Sequence, residues 1–267
     1  MADTHTPSDS DAPVHKIIQL GNAKRRVHAV EFEGKKYWLK RYGTERPPVA
    51  RFGHKLLAFI MRKPIFRASP IYSPQKALEA EIAKLKAFEN AGFPSIELIG
   101  VEGLVFVTKH AGKDLERTIA VNKSDTETND EIMCQWAGLF GRIHMAGLCH
   151  GRPHLRDSIY NDGSWVLMDF EEHPEAVMPL ATAQARDLVL LFMQLVKSIN
   201  DIDKLDEAMK RYKENAPVAV LEEAAKVIRD IQPFISLLDL TVRIVPRKDT
   251  KRLSLATRFL QQNLETK

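Results

Sequence analysis

Strand-type and helix-type patterns occupy separate stretches of this chain, and that segregation limits its possible folds more than any other feature. Between Lys16 and Tyr42 the segments KIIQLG, RRVHAVEF and KKYWLKRY alternate and are rich in β-branched residues, and Glu33-Gly34 supplies a hairpin turn. SIELIG and GLVFVTKH predict two further strands around a turn at Glu102-Gly103. Between these groups, KALEAEIAKLKAFENAG consists largely of strong helix formers and closes on Gly92, with Pro94 just beyond. Past about residue 110 the pattern is helical, and strand character returns only in WVLMDF. Such an order disfavours alternating βαβ units and predicts an α+β fold. The predicted organisation is a disordered polar tail over 1–14, a β-rich portion over 15–110 and a helical portion over 111–267.

Composition narrows the functional classes. The chain has 267 residues, 44% hydrophobic and 28% charged, which is ordinary for a globular protein. The balance of 39 Lys+Arg against 35 Asp+Glu gives +4, too small a surplus to name a partner. Cys134 and Cys149 make neither a disulfide framework nor a CxxC metal motif, which points to a reducing, cytoplasmic setting. The opening MADTHTPSDSDAP lacks the apolar core of a secretory signal. No GxSxG, HExxH or Walker A pattern occurs, so the common hydrolase, zinc-protease and P-loop chemistries lack support.

The chemistry concentrates between Ile143 and Glu172, in IHMAGLCHGRPHLRDSIYNDGSWVLMDFEE. Asp157 and Asp169 are separated by a hairpin-like stretch turning at Asn161-Asp162-Gly163, which could bring two hard oxygen donors to one site. Phosphoryl transfer needs such donors, because positioned cations must neutralise the phosphate oxygens.

The pieces Ile143-His144, Gly147, His150-Gly151 and Asp169-Phe170-Glu171 resemble the catalytic loop and metal-binding turn of protein-kinase-like folds. Within that superfamily they are most similar to the bacterial lipopolysaccharide core kinases and RIO-like small kinases. The resemblance covers about residues 15 to 200 and implies a two-lobed fold with Mg2+ and ATP in the cleft. It assigns metal ligation to Asp157 and Asp169, phosphate binding to Lys40, and the orienting carboxylate to Glu81, with Glu79 as the alternative. Glu81 has Leu85 and Phe88 on its helical face. Asp187 would brace the catalytic loop through its backbone N–H groups, a role compatible with that of an acid at a helix N-terminus. His144 and His150 would be packed, structural histidines.

Two departures from the pattern follow from the same carry-over. Arg152 stands where the catalytic aspartate is expected, and a guanidinium cannot accept a proton. It would instead contact the transferring phosphoryl or an anionic substrate. The glycine-rich loop is reduced to Gly21 in a segment placed between the first two strands, where Lys24, Arg25 and Arg26 would compensate by side-chain charge. The implied activity is transfer of the ATP γ-phosphoryl to a hydroxyl of a lipid-linked sugar. The alternatives are a nucleotide-binding pseudokinase that regulates a partner and a nucleotidyltransferase.

No acidic residue occurs between Glu45 and Glu79, whereas Arg51, Lys55 and Arg62 share one face of a predicted helix opposite Phe52, Leu56, Phe59 and Ile60. This basic amphipathic insertion, 46–67, suits either packing on the sheet or an anionic membrane surface at the inner face of a bacterial membrane. With little aromatic interleaving, nucleic acid ranks below both.

Overall fold

The structure is a computed structural model, and it describes residues 12–43, 65, 67–161, 163–242 and 248–265. It is an α+β fold. Helix α1 (Ala12–Leu20) precedes strands β1 (Val27–Phe32) and β2 (Lys35–Arg41). Helix α2 (Pro74–Asn90) is followed by strands β3 (Leu98–Glu102) and β4 (Val105–Lys109). Helices α3 (Leu115–Val121) and α4 (Thr126–Met145) lead to the short strands β5 (Ser158–Asn161) and β6 (Ser164–Leu167). Helices α5 (Leu180–Ser198), α6 (Ile202–Asn215), α7 (Val218–Val242) and α8 (Lys248–Glu265) complete the order. The basic insertion with Arg51, Lys55 and Arg62 lies outside the described residues, as does Asp162 of the predicted turn.

The chain forms two compact units. Of the described residues, 12–43, 71–113 and 159–171 fall in the first, and 65–70, 114–158 and 172–265 in the second. The β5–β6 hairpin and the Asp169 turn therefore belong with the N-terminal sheet, although they follow α4 in sequence.

In the first unit a four-stranded antiparallel sheet runs in the order β1-β2-β4-β3. The β1–β2 turn has Glu33 at φ 51 and Gly34 at φ 70, the positive pair that a two-residue hairpin matched to strand twist requires. Period-two alternation on β2 sends Leu39 and Lys40 to opposite faces. Leu39 joins Val105 and Val107 in a core cluster with Val14 and Ile17 of α1. Lys40 is turned to the other face, which α2 covers with Leu78, Glu81, Leu85 and Phe88, buried at helical spacing. Helix α2 starts on Ser73, whose side chain accepts from the Lys76 N–H, with Pro74 at its first position. Gly92 at φ 83 follows its last turn.

Two expectations are corrected here. KIIQL is helical and not a strand, and the helix begins at Ala12, inside the segment expected to be a tail. Val14 and Ile17 recur at a spacing of three and are buried against the sheet, so burial of a helical face overrides the β-branched composition. Gly21 and Lys24 consequently lie between a helix and β1, not between the first two strands.

The second unit is helical. Helix α4 is buried along Trp136, Ala137, Phe140 and Ile143, and α5 along Leu188, Leu191, Phe192 and Leu195. Tyr212 of α6 lies fully buried and hydrogen-bonds to His144 Nδ1 at 2.7 Å. No helix among the described residues is long and apolar enough to cross a membrane.

Candidate functional site

Within the first unit, four elements converge on Lys40. Its position on β2 is fixed by antiparallel pairing with Val27 of β1 and Phe106 of β4. From α2, Glu81 receives Lys40 Nζ at 2.8 Å on Oε1 and 2.9 Å on Oε2. Glu79 is exposed and accepts from Gln75, so it takes no part. Asp169 Oδ1 lies 2.9 Å from the same ammonium, and Glu171 Oε1 lies 2.8 Å from it. Tyr42 Oη donates to Glu81, and Arg26 donates to Glu171.

The turn bearing Asp169 is held in register by main-chain pairing. Ile96 N–H donates to the Leu167 carbonyl at 2.9 Å, and Leu167 N–H donates to the Pro94 carbonyl at 3.0 Å. Phe170 is fully buried with its ring centroid 4.6 Å from that of Phe88 on α2. Asp169 itself has φ 64, a left-handed backbone that costs roughly 1 kcal/mol in a residue with a Cβ. Packing of Phe170 and pairing of Leu167 over-determine that conformation, which aims the carboxylate at Lys40.

Three carboxylates around one ammonium set the electrostatics. Burial disfavours the charged lysine, but Glu81, Asp169 and Glu171 outweigh it and hold Lys40 well above the usual lysine range. Burial also pushes Glu81 above the ordinary carboxylate value; Lys40 pulls it back and Asp169 adds to the rise. Tyr42 is raised for the same reason, by burial first and then by Glu81.

The second unit holds the remaining predicted residues. Asp187 accepts the His150 N–H at 2.7 Å and the Gly151 N–H at 3.0 Å, and Cys149 Sγ donates to it at 3.3 Å. His144 Nε2 is 3.6 Å away. Burial raises this carboxyl, yet the hydrogen bond and charge of His144, the charge of His150 and the Gly151 N–H prevail, leaving it below its ordinary value. Asp187 sits well inside α5, which starts at Leu180, so the reading of it as a helix N-terminal acid is corrected. Gly151 has φ 97, and a Cβ there would lie 2.5 Å from the Glu172 carbonyl oxygen. Only glycine lets the backbone pass at this distance.

Asp157 ends a single 3-10 turn, Leu155–Asp157, and is buried; Arg152 Nη2 stands 3.5 Å from its Oδ2. The arginine in the expected catalytic-base position is thus turned toward the candidate ligand carboxylate. His150 is fully buried, and its ring lies 6.0 Å from that of Phe140, as a packed structural histidine would. Cys149 is buried against Asp187. Among the described residues no group of three or more His, Cys, Asp or Glu side chains could hold a metal by itself. Asp169 in the first unit and Asp157 in the second are each hard oxygen donors of the kind that suits Mg2+.

The structure brings Lys40, Glu81 and Asp169 together in the first unit and His150, Gly151 and Asp187 in the second. Sequence reasoning missed Glu171 and Tyr42 as parts of the Lys40 cluster. For Tyr42 the signal was available, since it lies two residues after Lys40, just past the end of β2, where the alternation of the strand carries over. Arg26 was legible only as one of three basic residues in a loop.

No family model matches the chain. An uncharacterized protein of Haemophilus influenzae (strain ATCC 51907 / DSM 11121 / KW20 / Rd) is 26% identical over 158 residues, 58% of this chain and 57% of that protein. The match thus spans little more than half of that relative's own length. A solved structure described as WaaP in complex with acyl carrier protein aligns with 88% of this chain and 93% of its own, at 13% identity and a TM-score of 0.49.

Proposed function

We propose that the protein is a kinase-like phosphotransferase that uses ATP and Mg2+ and transfers the γ-phosphoryl to a hydroxyl. The observation that carries this reading is Lys40 Nζ held at once by Glu81 and Asp169, at 2.8 and 2.9 Å. An ammonium fixed by a helix carboxylate, next to an aspartate on a constrained turn, is the arrangement that positions nucleotide phosphates beside a metal ligand.

In this reading Lys40 binds phosphate oxygens, Glu81 orients it, and Asp169 and Asp157 are the Mg2+ ligands. When bound, Mg2+ supplies charge neutralisation at the phosphates. Asp187 keeps the catalytic loop in place through the His150 and Gly151 N–H groups. Phosphoryl transfer tolerates a weak base, because its loose transition state depends more on positioning and charge than on proton removal. Gly21 and Lys24 lie on the loop that enters β1 and would contact phosphate by backbone and side-chain charge. For the acceptor, the resemblance of the catalytic-loop sequence to lipopolysaccharide core kinases favours a lipid-linked sugar at the inner face of a bacterial membrane. Arg51, Lys55 and Arg62 would supply the contact with that anionic surface.

A second reading has its own support: Arg152 stands 3.5 Å from Asp157 and supplies a positive charge where a metal ion would. Nucleotide binding without turnover, by a regulator of a partner, is consistent with that pair. Incubation with ATP labelled separately at the α and γ positions, with membrane extract as acceptor, decides between them. Product labelled from γ alone, and lost in Asp169→Ala, supports the kinase. Label from α supports nucleotidyl transfer, and label from neither, with ATP still bound, supports the regulator.

A further inference from the structure

Lys40 has no donor to spare. An ammonium carries three N–H groups, and here three carboxylates face it, those of Glu81, Asp169 and Glu171, at 2.8, 2.9 and 2.8 Å. The Glu81 side chain is 3% exposed, whereas Asp169 and Glu171 are 26% and 25% exposed. An incoming anion can therefore reach Lys40 only by displacing one of the outer two. Asp169 is tied to its place by a constrained backbone and the buried Phe170. Glu171 lies beyond that anchor, and its Oε1 contacts Lys40 and Arg26 together.

Resting on the reading in which Lys40 receives phosphate oxygens, we propose that Glu171 is a built-in occupant of a phosphate position and that Arg26 is a second phosphate-binding cation, masked by it. Carboxylate and phosphate oxygens are held by lysine and arginine through the same charge-assisted hydrogen bonds. The exchange is one of like for like: Lys40 and Arg26 pass from Glu171 to phosphate, and Glu171 turns to solvent. No covalent bond changes. The five side chains carry two positive charges against three negative ones, so a polyphosphate is repelled until the glutamate leaves. Occupancy of the position by Glu171 for nine-tenths of the time would weaken apparent affinity about tenfold.

Calorimetric titration of the full chain with ATP, with inorganic tripolyphosphate and with adenosine tests this. Glu171→Gln keeps the size of the side chain and removes its charge, and is expected to tighten ATP and tripolyphosphate binding by about tenfold while leaving adenosine unchanged. Adding Arg26→Gln to that variant is expected to reverse the gain. Should Glu171→Gln melt early, Glu171→Asp, which withdraws the carboxylate from Lys40, is expected to tighten binding in the same direction. Equal or weaker ATP binding by the Glu171 variants overturns the inference and leaves the nucleotide site standing. Absence of ATP binding in wild type and variants alike overturns the nucleotide reading and the inference with it.

Discussion

Lys40 Nζ and Glu81 Oε1 stand 2.8 Å apart, and the carboxylate that holds the ammonium lies on the buried face of α2 beside Leu78, Leu85 and Phe88. Strand and helix are thus joined through a charge pair set in an apolar surround. Lys40→Met would remove the ammonium from among Glu81, Asp169 and Glu171, leaving Arg26 on Glu171 alone and the buried Glu81 without its cation. We expect a loss of about 3–5 kcal/mol at neutral pH, the usual result of breaking a buried pair from one side. The loss should shrink on acidification. With the lysine gone, burial and the Asp169 charge raise the Glu81 carboxyl against only the Tyr42 hydrogen bond, so the native state binds more protons than the unfolded chain and gains stability as pH falls. Urea melts of wild type and variant from pH 7 to pH 5 measure the difference.

Glu116 has the opposite sign. Hydrogen bonds from Lys197 and Arg156 lower its pKa from 4.5 to about 2. Its stabilisation is complete above the unfolded value and is lost as pH falls from about 4.5 toward 2. Glu116→Gln should flatten the decline of the melting temperature across that window and leave the curve above pH 6 parallel to wild type. Thermal melts in a buffer series check it.

Asp187 accepts two backbone N–H groups and a thiol in full burial. Asp187→Asn presents an amide where two acceptors are needed, and hydrogen bonds to a charged group contribute about 1.5–3 kcal/mol each. The expected cost is about 3 kcal/mol in chemical denaturation, with faster amide exchange at His150 and Gly151.

Gly151→Ala combines a left-handed backbone with a Cβ placed 2.5 Å from the Glu172 carbonyl oxygen. A penalty of at least about 2 kcal/mol is expected, since the obstacle is main chain and cannot rotate away. Gly147→Ala, where a Cβ meets nothing within 4 Å, serves as the comparison: it shares the positive φ and lacks the clash. The gap between the two midpoints reads the steric part alone.

What the sequence made legible depends on whether a residue's setting is local. Glu81 could be chosen over Glu79 because Leu85 and Phe88 mark the buried face of the same helix. The β1–β2 turn was legible because Glu33-Gly34 meets a backbone requirement on the spot. Helix α1 was misread because Ile17 and Ile18 suit a strand by composition, whereas the deciding period runs through Val14 and Ile17; Pro13 near the helix start was the signal available. Glu171 stayed hidden because its partners are 131 and 145 positions upstream, 171 − 40 and 171 − 26 in the numbering, and nothing local to it announces them. Asp187 was assigned its role by motif order, but its place along α5 was misjudged because the helix begins seven residues earlier than Arg186-Asp187 suggests, 187 − 180.

The first unit is assembled from separated lengths of chain, with 159–171 returning to it after α3 and α4 have been made. During synthesis Lys40 emerges first and Glu81 follows, but Asp169 and Glu171 cannot reach them until the chain has been made and released through residue 171. No truncation ending before that point can yield a complete sheet unit. Heredity faces the same bond: neither unit can be copied, shuffled or lost as one uninterrupted stretch of gene.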